Sequence, residues 1–252
     1  MKSSLVGSRL ALFAALLAVC ASGTLQGQNV QSGGTAKTSK RFEVISITAV
    51  RPKLVNLVSA LQKKDVAAAK AAFEAYDGAW NGIEVYINFR YLDMYNLIEH
   101  TYGDKVEKGL DEANPDFANL TSTAQSMLAK FDETVDMIEK APPISPLFDD
   151  IARLRIVRAD IRPLNPALKA GDIAKARKSL AAFRKDWPSI EPLIKGRSQD
   201  ADAAVNKGLA DLDAALKQGK PDVDQTTSLS NATMLQYNQV LGQINREARA
   251  AK

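Results

Sequence analysis

A motif of mixed apolar and charged residues occurs twice in this chain. The pattern W-x-x-I-E-x-x-I-x-x-R-x-x-D begins at Trp80 and again at Trp187, and these are the only two tryptophans of the sequence. Each copy places a glutamate, Glu84 or Glu191, four residues after its tryptophan. Carboxylate oxygens are ligands of hard cations and are also partners of arginine. The motif therefore offers two chemistries, cation binding and structural ion pairing.

The spacing of the motif predicts where the glutamates point. At about 100° per residue of helix, an apolar stripe through Trp80 lies only about 40° from Glu84. The stripe consists of Phe73, Trp80, Ile87, Tyr91 and Ile98. Burying an ionised carboxylate without a partner costs several kcal/mol. Each glutamate therefore needs a cation, a set of hydrogen bonds, a metal ion or a bound proton.

These considerations leave two interpretations of the motif open. In the first, Glu84, Glu191 and Tyr91 are metal ligands, because carboxylate and phenol oxygens suit iron or another hard cation. In the second, the glutamates brace a helix junction and the aromatic residues are core packing. Either way, further candidate site residues surround the glutamates: Arg90, Arg197, Trp80 and Trp187.

The two copies differ in ways that favour the first as a binding site. The first copy is rich in aromatic residues, namely Tyr76, Tyr86, Phe89, Tyr91, Tyr95 and Tyr102, whereas the matching positions of the second are mostly small, aliphatic or polar. Gly78 and Gly82 in the first copy, and Pro188 and Pro192 in the second, predict an irregular helix around each motif. Irregular turns would free backbone carbonyls for a hard cation.

An enzyme active site is not indicated by the residues. The only histidine, His100, projects about 160° away from the Tyr91 and Ile98 face and is expected to be exposed. No Ser/His/Asp arrangement, zinc-type cluster or phosphate-binding glycine loop occurs in the sequence. The sequence therefore predicts a protein that is not an enzyme.

The motif belongs to a longer duplication. Shifting the sequence by 107 positions aligns Leu57 with Leu164, Asp65 with Asp172, and Met127-Leu128 with Met234-Leu235. Apolar residues recur every three or four positions in both copies, and Asp65 and Asp172 stand where a carboxylate can cap the next helix. The sequence predicts an all-α fold made of two pseudo-repeated bundles of about four helices each.

Prolines and composition set the predicted boundaries. Residues 142–146 contain three prolines and separate repeat 1, residues 41–141, from repeat 2, residues 147–252. Residues 22–40 are rich in Gly, Ser, Thr and Gln and are expected to form a flexible leader.

The start of the chain has the layout of a secretory signal. Lys2 and Arg9 precede a short apolar run, and cleavage is expected after Ala21, which leaves a periplasmic or secreted protein that is not integral to the membrane. Whether Cys20, the only cysteine, is lipidated stays open, because Val19 stands where a lipoprotein signal has a small residue. Removing residues 1–21 lowers the formal charge from +4 to +2, which disfavours a nucleic-acid partner.

Residues 167–194, ALKAGDIAKARKSLAAFRKDWPSIEPLI, resemble the signature of the imelysin-like periplasmic proteins, which include EfeO-type components of bacterial iron uptake. Residues 63–87 resemble the same element, so the likeness covers about thirty residues of each repeat. It implies an exported helical domain that binds metal ions or acidic polysaccharide, or that serves an iron permease or another envelope protein. Glu84 and Glu191 match the glutamate of the family's Ile-Glu-Pro motif, which Pro192 completes in the second copy only. The family's His-x-x-Glu metal motif is missing, since Gly103 follows His100 at that spacing.

The leading hypothesis from the sequence is thus an exported, non-enzymatic binding protein linked to metal-ion uptake. The alternative is a structural or interaction module without a ligand site, which presents a surface to an envelope partner.

Overall fold

The structure, a computed structural model, describes residues 41–251. Every regular element within this range is a helix, and no strand occurs there. The prediction of an all-α fold is confirmed. The predicted signal peptide, its cleavage site, Cys20 and the leader of residues 22–40 lie outside the described residues.

The first half of the described chain contains six α-helices and a π-helical segment. Helices α1 and α2 are short, and α3 and α6 are the long ones. The bounds are α1 Phe42–Thr48, α2 Arg51–Gln62, α3 Val66–Arg90, α4 Leu92–Asn96, the π-helix Leu97–Gly103, α5 Asp104–Asp111 and α6 Phe117–Lys140.

The second half contains six further α-helices and one 3₁₀ turn. The bounds are α7 Leu147–Ile161, α8 Leu164–Lys169, α9 Ile173–Asp186, the 3₁₀ turn Trp187–Ser189, α10 Glu191–Lys195, α11 Gln199–Lys217 and α12 Val223–Ala250. No helix covers residues 141–146, so the proline-rich stretch separates α6 from α7 where the sequence predicts a linker.

The same turn begins the long helix of each repeat. Lys64 and Gly171, which lie 107 positions apart, have positive φ angles of 56° and 73°. Asp65 and Asp172 follow them and cap α3 and α9, each accepting a hydrogen bond of 2.9 Å from the backbone amide three residues later. A side-chain oxygen at this place satisfies an amide that has no partner within the helix. Both predicted caps are confirmed.

Other boundaries recur at nearly the same spacing. The residues that precede α4 and α11, Tyr91 and Ser198, are 107 positions apart, and α6 and α12 begin at Phe117 and Val223. The order of helices along the two repeats is therefore similar. That the repeats superpose as two bundles stays a prediction.

One hydrophobic core runs through both repeats. Helix α3 of the first repeat packs against α7 of the second. Gly82 marks the closest part of this crossing, because a Cβ atom placed there would lie 2.5 Å from Cγ1 and 3.3 Å from Cα of Ile156. The core thus does not divide at the linker, and residues on α3 and α7 meet at the interface between the repeats.

Two expectations about helix regularity need correction. Helix α3 continues through Gly78 and Gly82, so the predicted irregularity of the first motif is wrong, since Gly82 serves the close approach to α7. The predicted apolar stripe also does not follow one helix to Ile98, because α3 ends at Arg90 and the next residue, Tyr91, is not helical (φ −140°, ψ 69°). In the second repeat the 3₁₀ turn at Trp187–Ser189 confirms the irregularity predicted from the prolines.

Residues 42–62 are long and apolar enough to cross a membrane by length and composition, and half of this apolar stretch is buried inside the bundle. Buried core helices of folded proteins have the same length and composition.

Candidate functional site

The glutamate of the first motif faces the second repeat. An oxygen of Glu84, on α3, lies 2.7 Å from Nη1 of Arg155, on α7, and the two side chains are 17% and 21% exposed. Burial raises the pKa of Glu84 above its usual range, although the neighbouring Arg155 acts in the opposite direction. The expected partly buried carboxylate is present, and its cationic partner is an arginine that the sequence does not point to.

A second carboxylate reaches the same place from the π-helix. Burial raises the pKa of Glu99, and the negative charge of Glu84 raises it further. Nearby, Tyr95 stacks on Trp80 with ring centroids 6.3 Å apart and planes inclined by 9°. A π-helical turn inside an α-helix is often found at functional sites, and here it carries Glu99 next to the motif.

Three buried polar atoms of this cluster lack a hydrogen-bond partner in the described part of the protein. They are the hydroxyl of Tyr76, Nε1 of Trp80 and Nε of Arg155. Tyr76 is 2% exposed and Trp80 is fully buried. The Glu99 carboxylate lies near enough for the indole N–H of Trp80 to lower its pKa, but the pair does not have the geometry of an ordinary hydrogen bond. Buried polar atoms are rarely left unpaired, so this cluster has hydrogen-bonding capacity that the protein itself does not use.

The phenol of Tyr76 is held in its neutral form. Burial raises its pKa well above the usual value of 10, and the nearby Glu99, Asp77 and Glu84 carboxylates raise it further. The Tyr76 oxygen is therefore available as a neutral ligand atom between negative groups.

In the second repeat, the polar groups of the motif form hydrogen bonds with residues of the same repeat. Nε1 of Trp187 donates to Oδ1 of Asn206 at 2.9 Å, and Nδ2 of Asn206 donates to Glu191 at 2.9 Å and to Asp202 at 3.1 Å. Asp202 is 8% exposed, and burial together with the Glu191 charge raises its pKa. One amide thus links the tryptophan to both carboxylates.

The two repeats differ at the residue that faces the tryptophan. Glu99 and Asn206 are 107 positions apart, so a carboxylate in the first repeat takes the place of an amide in the second. The Asn206 amide donates a hydrogen bond to the motif glutamate, whereas an ionised Glu99 has no hydrogen to donate to Glu84. The first repeat therefore has no amide N–H between these two carboxylates, and the partner of its motif glutamate is Arg155 instead.

The remaining predicted site residues serve other contacts. Nε of Arg90 donates to Glu43 at 2.6 Å, and Arg197 pairs with Glu247, so these two candidate site residues do not contact the motif glutamates. Arg90 is the last residue of α3, and Arg197 lies just beyond the end of α10. The Tyr91 hydroxyl donates to the carbonyl of Met137 at 3.3 Å.

The three predicted metal ligands lie in different surroundings. Glu84 meets Arg155, Glu191 meets Asn206 and Tyr91 meets Met137. Glu84 and Tyr91 are also separated by about two helical turns of the chain, and their side chains point to different neighbours. Within residues 41–251 no group of three or more His, Cys, Asp or Glu residues is placed to hold a metal ion. His100 is exposed, as expected, and its ring meets the edge of Tyr95.

Sequence reasoning missed Glu99, Arg155 and Glu43. Glu99 could have been found by reading the 107-residue register at Asn206, since this is where an amide is exchanged for a carboxylate. Arg155 and Glu43 carry no such signal, because their contacts depend on how helices distant in sequence pack.

Comparison of the chain with models of known protein families, with curated proteins and with solved structures gives no match.

Proposed function

We propose that this chain is an exported, non-enzymatic helical protein that binds a hard cation between Glu84 and Glu99, as part of metal-ion uptake. The observation that carries the proposal is the exchange of Asn206 for Glu99 beneath the equivalent tryptophan. Two partly buried carboxylates then lie close enough for their charges to interact, and only Glu84 is paired to Arg155. A cation between them would supply the positive charge that the amide hydrogens partly supply in the second repeat.

The ligand atoms favour a divalent ion such as Ca²⁺, Mg²⁺ or Mn²⁺. Glu84 and Glu99 offer carboxylate oxygens, and the unpartnered hydroxyl of Tyr76 offers a neutral oxygen. Hard cations of this kind prefer oxygen ligands. A ferric ion would gain most from a phenolate, and the raised pKa of Tyr76 opposes its formation.

The second repeat is less suited to bind a cation. Asn206 already donates to both Glu191 and Asp202, so the negative charge there is partly satisfied. The sequence names both Glu84 and Glu191 as candidate metal ligands, but the proposed site lies in the first repeat alone.

The placement in metal-ion uptake rests on the resemblance to the imelysin-like proteins, which also suggests an envelope permease as partner. Export rests on the signal-like residues 1–21. Elemental analysis of the protein isolated from its native envelope tests this part. A bound divalent metal at about one equivalent supports it, and protein free of metal contradicts it.

A structural function is the second candidate, and the Glu84–Arg155 ion pair favours it. This pair joins α3 to α7 and hence one repeat to the other. If bracing is its only role, replacing Glu84 lowers stability and the protein has no cation affinity to lose.

Calorimetric titration with Ca²⁺, Mg²⁺, Mn²⁺ and Fe³⁺ decides between the two candidates. We expect Glu99→Gln to weaken divalent binding at least tenfold while circular dichroism stays unchanged, because the amide keeps the shape of the side chain. Glu191→Gln is the matched control in the second repeat and should leave the affinity unchanged. Wild-type protein that binds none of these ions, or equal affinity in Glu99→Gln, would overturn the cation site and leave the structural candidate.

A further inference from the structure

A groove of about 320 Å³ lies beside the cluster around Glu84 and Glu99 and is lined by helices from both repeats. The lining includes Asn81 from α3, Arg158 and Ile161 from α7, Arg162 directly after α7, and Asn165 from α8. Helix α12 completes the lining with Ser230, Asn231, Met234 and Asn238. Most of these residues are polar and none is acidic, so the groove differs in character from the Glu84 and Glu99 cluster.

Helix α7 presents a row of three arginines along this side. Arg155, Arg158 and Arg162 are spaced by three and four residues, which places them on one helix face. Arg155 pairs with Glu84 at 2.7 Å, and Arg162 lies 3.4 Å from Asp77. Two of the three positive charges are thus compensated by carboxylates.

Arg158 is the exception. Its only hydrogen bond within the described residues runs from Nη1 to Oδ1 of Asn238 at 3.0 Å, and it takes part in no ion pair there. Its side chain is partly buried, and burial together with the charges of Arg155 and Arg162 lowers its pKa. A guanidinium group has five N–H donors, so most of those of Arg158 remain available in the groove. A partly buried positive charge without a carboxylate is a favourable place for an anion.

The amides around Arg158 add hydrogen-bonding capacity that the protein does not use up. Asn165 donates to Asn231 at 2.9 Å, and its own Oδ1 is buried without a partner. Asn81 donates to Asp77 and keeps its own side-chain oxygen as an acceptor. These oxygens can accept hydrogen bonds from hydroxyl groups.

We propose that this groove binds a small hydroxylated carboxylate. The carboxylate pairs with the Arg158 guanidinium, and the hydroxyl groups donate to the side-chain oxygens of Asn165 and Asn81. The volume suits a molecule of sugar-acid size, at the lower end of the range for small-molecule pockets. The proposed ligand contacts neither Glu84 nor Glu99, although Glu84 lies close enough to Arg158 for their charges to interact.

Titration calorimetry with gluconate, in buffer without divalent ions, tests the proposal. Glucose and inorganic phosphate are the comparison ligands, since one has hydroxyls without the charge and the other has the charge without the hydroxyl chain. We expect gluconate to bind and to lose at least tenfold in affinity in Arg158→Gln. Arg153→Gln, an exposed arginine of the same helix that stacks on Phe42, is the matched control and should bind as the wild type does.

Asn165→Ala gives a second readout that does not depend on how well Arg158→Gln folds. It should weaken gluconate binding while helicity and melting remain close to those of the wild type. Several results would overturn the proposal: no gluconate binding to the wild type at millimolar concentration, glucose or phosphate bound as tightly as gluconate, or unchanged affinity in Asn165→Ala.

Discussion

The Glu43 carboxylate and the Arg90 guanidinium form the least exposed ion pair of residues 41–251, with side chains 4% and 8% exposed. Arg90 donates to both oxygens of Glu43, at 2.6 and 3.1 Å, and to the carbonyl of Pro142 at 2.6 Å. It thereby ties α1 and the linker to the end of α3. Glu43→Gln should lower the free energy of unfolding by about 3–5 kcal/mol, because it leaves a buried arginine without its counter-charge.

The exposed pair between Arg51 and Asp132 is the control for this effect. Its side chains are 47% and 39% exposed, so solvent screens the attraction. Asp132→Asn should leave urea denaturation nearly unchanged. A comparable loss of stability in the two variants would show that burial does not decide the strength of the Glu43–Arg90 pair.

The two tryptophans should differ in how they tolerate phenylalanine. Both are buried, at 0% and 5% exposure, so Trp80→Ala and Trp187→Ala should each cost about 3–5 kcal/mol through lost packing. Trp187→Phe additionally breaks the hydrogen bond to Asn206, whereas Trp80→Phe removes an N–H that has no partner of good geometry. We expect Trp187→Phe to be the more destabilising by about 1 kcal/mol. Thermal and chemical denaturation of the two phenylalanine variants measure the difference, and the reverse order would contradict it.

Two glycines of α3 should respond in opposite directions to alanine. A Cβ atom at Gly82 would approach Ile156, including its backbone, and force α3 away from α7. Gly82→Ala should therefore destabilise the protein by about 1–3 kcal/mol. Gly78 has nothing within 4 Å of an added Cβ, so Gly78→Ala should stabilise it by about 0.5–1 kcal/mol through helix propensity. Equal effects in denaturation experiments would show that the close crossing of α3 and α7 is misplaced.

The stability of the protein should depend on pH through Glu84 and Glu99. Folding raises the pKa of both carboxyl groups above their usual value of 4.5. The folded protein therefore binds these two protons more tightly than the unfolded chain does. The stabilisation from these protons is complete below the unfolded pKa and is lost as the pH rises through the folded pKa. The groups that face the pair are Asp77, Arg155 and His100, with Arg158 and Tyr76 nearby.

Glu99→Gln removes one of these titrations and isolates its contribution. Without divalent ions, the variant should gain stability relative to the wild type as the pH rises from about 4 to about 8, by about 1 kcal/mol at the upper end, since its amide can donate to Glu84. Urea denaturation at a series of pH values measures this. Parallel pH curves for the two proteins would contradict the proposed contact between the carboxylates.

Local patterns made much of the fold predictable. The caps at Asp65 and Asp172, the helical period and the break at residues 142–146 depend on neighbours in sequence, and the structure confirms them. The partners of Arg90 and Glu84 were not predictable in the same way. They follow from the end of α3 at Arg90 and from the packing of α7 against α3, and both are tertiary effects that override the helical projection.

The site was predictable only in part for the same reason. Glu84 and Trp80 stand out by repetition, whereas Glu99 reaches them through a π-helical turn that shifts the register of its face. Helical projection assumes 3.6 residues per turn and cannot follow such a shift.

The crossing of α3 over α7 also constrains the order in which the chain can fold. A chain that emerges with its N-terminus first completes α3 at Arg90, but the surface of α3 around Gly82 and Tyr86 stays uncovered until α7 is available at residue 161. The hydroxyl of Tyr86 also lacks its partner until then, because it donates a hydrogen bond of 2.6 Å to the carboxylate of Asp149. The first repeat therefore exposes apolar surface from the time α3 emerges until α7 has emerged. A chaperone that binds apolar surface would act on the chain during this interval.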